Sequence, residues 1–149
     1  MRKQLLLCLL LSTSIFLVGC APPTFVKSAP GWKTIELNED LMGNYDKAWQ
    51  KTVDTIAREY DIEMLDKDSG YLRTAWLYGV SGGIYNRYRG RLTVKYPSVA
   101  EPTKVDIKTS AQWLEDESYL RWVSGWDRDF QRDVYTNLAG RLGRGVPTE

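Results

Sequence analysis

Lys104-Val105-Asp106-Ile107-Lys108-Thr109-Ser110-Ala111-Gln112-Trp113-Leu114 alternates along its length, with Val105, Ile107, Thr109, Ala111 and Trp113 opposite Lys104, Asp106, Lys108, Ser110 and Gln112. Successive side chains of a strand point to opposite faces, so this period of two predicts a strand with one apolar and one polar face. Arg87 to Tyr96 repeats the scheme: Tyr88, Gly90, Leu92, Val94 and Tyr96 face one way, Arg87, Arg89, Arg91, Thr93 and Lys95 the other. Pro97 and Pro102 bracket the loop between the two runs. One polar and one apolar face is how an antiparallel sheet covered on a single side should look.

Toward the N-terminus, Tyr71 to Tyr78 alternates with Leu72, Thr74, Trp76 and Tyr78 on one face. Ile62, Met64 and Leu65 begin a strand that runs into Asp66-Lys67-Asp68-Ser69-Gly70. Asp-x-Asp opens many calcium loops, but an EF-hand needs Gly at its sixth position and Glu at its twelfth. Here Gly70 is fifth and Leu77 twelfth, so the stretch reads as a turn. Gly79-Val80-Ser81-Gly82-Gly83 lacks the spacing of a phosphate-binding loop and reads as a hairpin connection. Trp32 to Leu37 predicts one further strand.

Two helices complete the list. Asn44 is placed to cap the first, and Trp49, Val53, Ile56 and Tyr60 recur at steps of four, three and four. Core packing against the sheet accounts for Tyr45 and Trp49 better than a ligand cage. Glu115 to Gly125 reads as an acidic, then aromatic connection, with Ser124 and Asp127 forming a capping box. Trp126, Phe130, Val134, Leu138 and Leu142 then mark a second helix, closed by Gly143 and Gly145. The expected fold is α+β: an antiparallel sheet of four to five strands packed on one side by two helices.

Tyr45-Asp46-Lys47-Ala48-Trp49, Ile62-Glu63 and Asp66-Lys67-Asp68-Ser69-Gly70-Tyr71 together resemble the repeated domain of the BamC (NlpB) lipoproteins. The resemblance covers about residues 35–78 by motif and the rest by element order. It implies a helix-grip fold and a role beside the outer-membrane β-barrel assembly machinery. The chain offers one such domain where BamC has two, and its tether is far shorter than BamC's N-terminal arm.

The address is written separately. Arg2 and Lys3 precede an apolar run from Leu5 to Leu17, and Leu17-Val18-Gly19-Cys20 follows. A basic start, an apolar core and small residues at the cut read as a secretory signal peptide over residues 1–19. The last four residues resemble the lipobox of bacterial lipoproteins, which implies cleavage before Cys20 and acylation, palmitate included, of that residue. Ala21 in place of Asp then implies sorting to the outer membrane, with the domain facing the periplasm. The run is short for a spanning helix, which takes about 20 apolar residues. Residues 20–30, with Pro22 and Pro23, read as a lipidated tether, and residues 31–149 as a single domain.

Composition narrows the chemistry. The chain carries +1, and loss of Arg2 and Lys3 with the signal leaves −1, so no overall field draws nucleic acid. It has no His, and its two Cys are Cys8, lost with the signal, and Cys20, which carries lipid. Triads built on His and nearly every catalytic zinc arrangement are thereby excluded. We expect no cofactor, no metal and no catalysis. The polar strand faces instead bring Arg87, Arg89, Arg91 and Lys95 beside Lys104 and Lys108, a basic patch interrupted by Asp106. With Trp122 exposed at its rim, this patch is the expected docking surface for an envelope protein. Apolar-ligand binding between sheet and helix is the alternative. Bulky residues filling the sheet face (Trp76, Leu92, Val94, Ile107, Trp113) would argue against it, because a ligand needs roughly 300 Å³ or more.

Overall fold

A computed structural model describes residues 21–82 and 86–144; the expected signal peptide and Cys20 lie outside the described residues. Within them are strands β1 (Phe25–Val26), β2 (Lys33–Glu36), β3 (Ile62–Asp66), β4 (Tyr71–Thr74), β5 (Leu77–Tyr78), β6 (Tyr88–Lys95), β7 (Lys104–Asp116) and β8 (Arg121–Asp127). Helix α1 (Tyr45–Ile56) joins β2 to β3, and α2 (Arg128–Leu142) follows β8. No helix among the described residues is long and apolar enough to cross a membrane.

The alternating stretch from Lys104 onward is the spine of the sheet. β7 pairs antiparallel with β6 from Asp106 to Trp113. Its other edge is divided between β2, at Lys104 to Ile107, and β8, at Ala111 to Asp116. β6 likewise divides its far edge between β5 and β4, with β3 beyond β4 and β1 beyond β8. Tyr88, Leu92, Val94, Tyr96, Val105, Ile107 and Ala111 all lie on the inner face, as their parity predicts. They share one core with Trp49 and Ile56 of α1 and with Phe130, Val134 and Leu138 of α2. Both helices therefore cover the same face. The molecule is α+β.

Local chemistry sets the helix starts. The Asn44 side chain accepts the Lys47 N–H at 3.1 Å, and Asp46 sits in the first turn of α1, where the dipole favours it. Tyr45 and Trp49 pack on Tyr96 with centroids 5.4 and 6.0 Å apart, so they are core residues. The Tyr96 hydroxyl shares a 2.7 Å hydrogen bond with Thr52, and burial pushes its pKa up to about 12. α2 starts at Arg128 rather than Trp126. Its cap is Asp127, which accepts the Phe130 N–H at 2.7 Å. Ser124 stays on β8 and accepts from the Gln112 side-chain amide at 3.0 Å.

The sheet among the described residues has eight strands, not four to five, for three reasons. Tyr71 to Tyr78 is two strands, because the Ala75 N–H turns away to the Asp61 carbonyl at 2.8 Å. The break reverses parity, and Trp76 goes to the polar face beside Arg89 and Arg91 instead of filling the core. Glu115 to Gly125 is a hairpin: β7 continues to Asp116, β8 starts at Arg121, and the Arg121–Glu115 ion pair links the strands. Charged residues hid the alternation there. Tyr119 and Leu120 at its tip are 84% and 70% exposed.

The third reason is the tether. Phe25 and Val26 pair with Asp127 and Trp126, so residues 24–28 belong to the domain and do not swing free of it. Thr24 donates to the Asp127 carboxylate, Arg128 N–H to the Thr24 carbonyl at 3.1 Å, and the Trp126 indole to Ser28 at 3.1 Å. Phe25 meets Tyr88 edge-on at 6.0 Å. Gly125 makes this possible, because a Cβ there would lie 2.2 Å from the Val26 carbonyl oxygen. Gly125→Ala should therefore destabilise the fold by about 1–3 kcal/mol. It should also raise hydrogen exchange selectively at residues 24–28. Unchanged exchange in that segment would mean that the contact is not what holds it.

Candidate functional site

The polar face of the sheet holds the seven residues singled out for docking, but not as one open patch. Arg89, Arg91 and Trp122 meet at its centre. Arg87 lies toward the β7–β8 hairpin and pairs with Glu117 at 2.7 Å. Lys95 and Lys104 are exposed, and Asp106, opposite Lys95, accepts from Thr34 at 2.7 Å. Lys108 is half-buried, its ammonium 4.6 Å from the centre of the Trp32 ring. Trp122 is half-buried on β8 rather than exposed on a loop, because it carries the Arg89 guanidinium on its ring.

Arg89 is the keystone. Its guanidinium lies 3.9 Å from the Trp122 ring centre, 4.7 Å from Trp76 and 5.8 Å from Tyr78. Nε and Nη2 donate to the Gln112 carbonyl at 3.1 and 2.8 Å, and Nη1 donates to the Tyr78 hydroxyl at 3.0 Å. Each cation–aromatic contact contributes about 0.5–1 kcal/mol when exposed and more when dry. The side chain is thus fixed with no carboxylate partner among the described residues.

Arg91 stands next to it with its guanidinium 4.3 Å from the Trp76 ring centre. Its ion pair is weak, 3.9 Å to Glu63, because Glu63 is held by Arg73 at 2.9 Å. The Arg91 Nε is buried with no hydrogen-bond partner among the described residues. Burial, then the neighbouring Arg73 charge, hold the guanidinium below its ordinary range, with Glu63 pulling the other way. Among the described residues, Glu63 is the one carboxylate within ion-pair distance of Arg73, Arg89 or Arg91. The centre of this face is short of negative charge.

A cleft of about 340 Å³ opens beside these residues. Residues 27–30, leaving β1, form one wall, and Trp76, Arg91, Ser110, Gln112 and Ser124 form much of the rest. The sequence reading missed Arg73, Trp76, Tyr78 and Gln112 as parts of the site. Arg73 and Gln112 sit at polar parity on predicted strands and were within reach of the same rule. Trp76 was not, because its position depends on the break at Ala75.

Comparison of the chain with protein-family models finds no match, and comparison with curated proteins finds none either.

Proposed function

We propose that the chain is a non-catalytic lipoprotein, held through Cys20 on the periplasmic side of the outer membrane, that docks envelope proteins on the polar face of a helix-grip-like sheet. Its role is that of an accessory or scaffold component akin to those of outer-membrane protein assembly. The lipobox and the BamC resemblance support the address and the setting. The observation that carries docking is the rigid, cation-rich centre around Arg89 and Arg91, fixed by aromatic rings yet short of counter-charge. Pre-set charges of this kind raise association rate and specificity.

The apolar-ligand reading has less behind it. Leu72, Leu92, Val94, Val105 and Ile107 on the sheet, with Ile56, Phe130 and Val134 on the helices, are all buried in one core. Side chains of the protein itself occupy the space that a ligand would need.

Reversal of Arg87, Arg89 and Arg91 would also unpack Trp122, so exposed Lys95 and Lys104 are the informative positions. Lys95→Glu with Lys104→Glu should leave stability within about 0.5 kcal/mol. It should reduce salt-sensitive recovery of cross-linked envelope proteins, while Arg141→Glu on the helix side should not. Cys20→Ala should abolish incorporation of labelled palmitate. Equal recovery by all variants at low salt would overturn docking on this face, and palmitate labelling of the Cys20→Ala chain would overturn the anchor.

A further inference from the structure

The cleft beside Arg91 is a half-open depression on the polar face. Residues 27–30 bound it on one side, and the floor includes the hydroxyls of Ser110 and Ser124 and the amide of Gln112. Ser124 and Gln112 are already bonded to each other, and Gln112 in turn holds neighbouring Arg89, so the floor is tied into the network on this face. Arg91 enters this cleft with its side chain 27% exposed, and Glu63 meets it only at 3.9 Å. Its planar fork suits a carboxylate, which can take two parallel hydrogen bonds from it.

We infer that this cleft takes an aspartate or glutamate side chain from an extended acidic peptide of a protein partner, with Arg91 as the cation that receives it. Charge comes first among the reasons. Arg73 and Arg91 share Glu63, and Arg89 beside them pairs with no carboxylate among the described residues, so an incoming carboxylate supplies what the face lacks. Size comes second. About 340 Å³ is at the small end of ligand clefts, enough for a side chain and the backbone that bears it. Shape is the third reason. An open depression bordered by residues 27–30 and by Ser110, Gln112 and Ser124 can take a single strand of peptide laid along it. Ser110 and Ser124 then offer hydrogen bonds to the peptide backbone.

The proposal rests on the docking reading above and is tested separately from it. The full chain, in neutral detergent, is titrated against fluorescein-labelled tetraglutamate capped at both ends, with tetraglutamine as the uncharged control. Tetraglutamate should bind in a salt-sensitive way and tetraglutamine should not. Arg91→Gln should weaken binding at least tenfold. Ser110→Val, which changes no charge and suits a strand, should do the same by filling the floor. Lys95→Gln, on the same strand but outside the cleft, should change it less than twofold. Equal losses from Arg91→Gln and Lys95→Gln would reduce the effect to general screening and overturn the inference. So would full binding by Ser110→Val. Vesicles of phosphatidylglycerol form the last arm: Arg91-dependent vesicle binding without tetraglutamate binding would overturn it in favour of a lipid headgroup. If the cleft fails while envelope recovery still depends on Lys95 and Lys104, docking on this face stands and the carboxylate site falls.

Discussion

Asp127→Ala is expected to destabilise the chain by about 2–4 kcal/mol, a large share of the 5–15 kcal/mol that holds an ordinary domain together. Asp127 is 0% exposed and pairs with no cation among the described residues; hydroxyls and one amide satisfy it instead. Tyr88 donates at 2.7 Å, the Phe130 N–H at 2.7 Å, and Ser81 and Thr24 complete the set. Four segments thus converge on one carboxylate: the chain leaving Cys20, the loop after β5, strand β6 and the start of α2. Truncation strands the Tyr88 hydroxyl in the core, and each buried group left unsatisfied costs about 1–3 kcal/mol. A denaturant titration that moves by less than about 1 kcal/mol would mean that water replaces the carboxylate at little cost.

The same carboxylate gives the acid limb a definite sign. Burial pushes its pKa up, but the hydrogen bonds from Phe130, Ser81, Thr24 and Tyr88 together outweigh burial and hold it below the usual carboxylate range. The unfolded chain, with an Asp pKa of about 3.9, therefore takes up the proton first as pH falls. Stability from this group is present above about pH 4 and is lost as pH drops through the folded pKa. Asp127→Asn should lower stability at neutral pH and flatten this acid limb. A limb as steep as that of wild type would assign acid unfolding to other carboxylates.

Asp127 also marks the limit of what the sequence discloses. Its place at the helix start was legible, but the sequence reading gave the cap to Ser124 and made Asp127 its capping-box partner, whereas Asp127 itself is the cap. That it also fastens Thr24 and Tyr88 was not legible, because those partners lie 103 and 39 residues away and hydrogen bonding leaves no periodic trace. The parity of β6 and β7 was readable because burial on one face imposes a period of two, which in β7 holds from Lys104 to Gln112 before Leu114 breaks it. β1 has two residues and β5 has two, too short for any period. β8 carries both of its aromatic rings, Trp122 and Trp126, on the polar face and sets Arg121 and Asp127 on the other, so hydrophobicity does not alternate along it. The arginines of the site could be read from the polar parity of β6, but their condition could not. Whether a guanidinium is free, paired or stacked depends on Glu63, Glu117, Trp76 and Trp122, which come from four other segments.

Phe130→Ala should cost about 3–5 kcal/mol, because the ring is 6% exposed and packs edge-on against Tyr60 at 6.4 Å. Its position depends on a glycine. A Cβ at Gly90 would lie 2.8 Å from Phe130 Cε1 and 3.0 Å from Cδ1, so the bare backbone of β6 is what lets α2 settle on the sheet. Gly90→Ala alone should cost about 1–3 kcal/mol, since the ring must move and Val80, 3.2 Å from the same Cβ, limits where it can go. In a Phe130→Ala background the obstruction is gone, and the added methyl enters the space that the ring vacated. The cost of Gly90→Ala should then fall close to zero or reverse, a coupling of about 1–3 kcal/mol between the two sites. A double-mutant cycle by denaturant titration measures it. Additive losses would mean that the glycine serves the strand's own conformation, and that the second helix owes its seat to the rest of its apolar stripe.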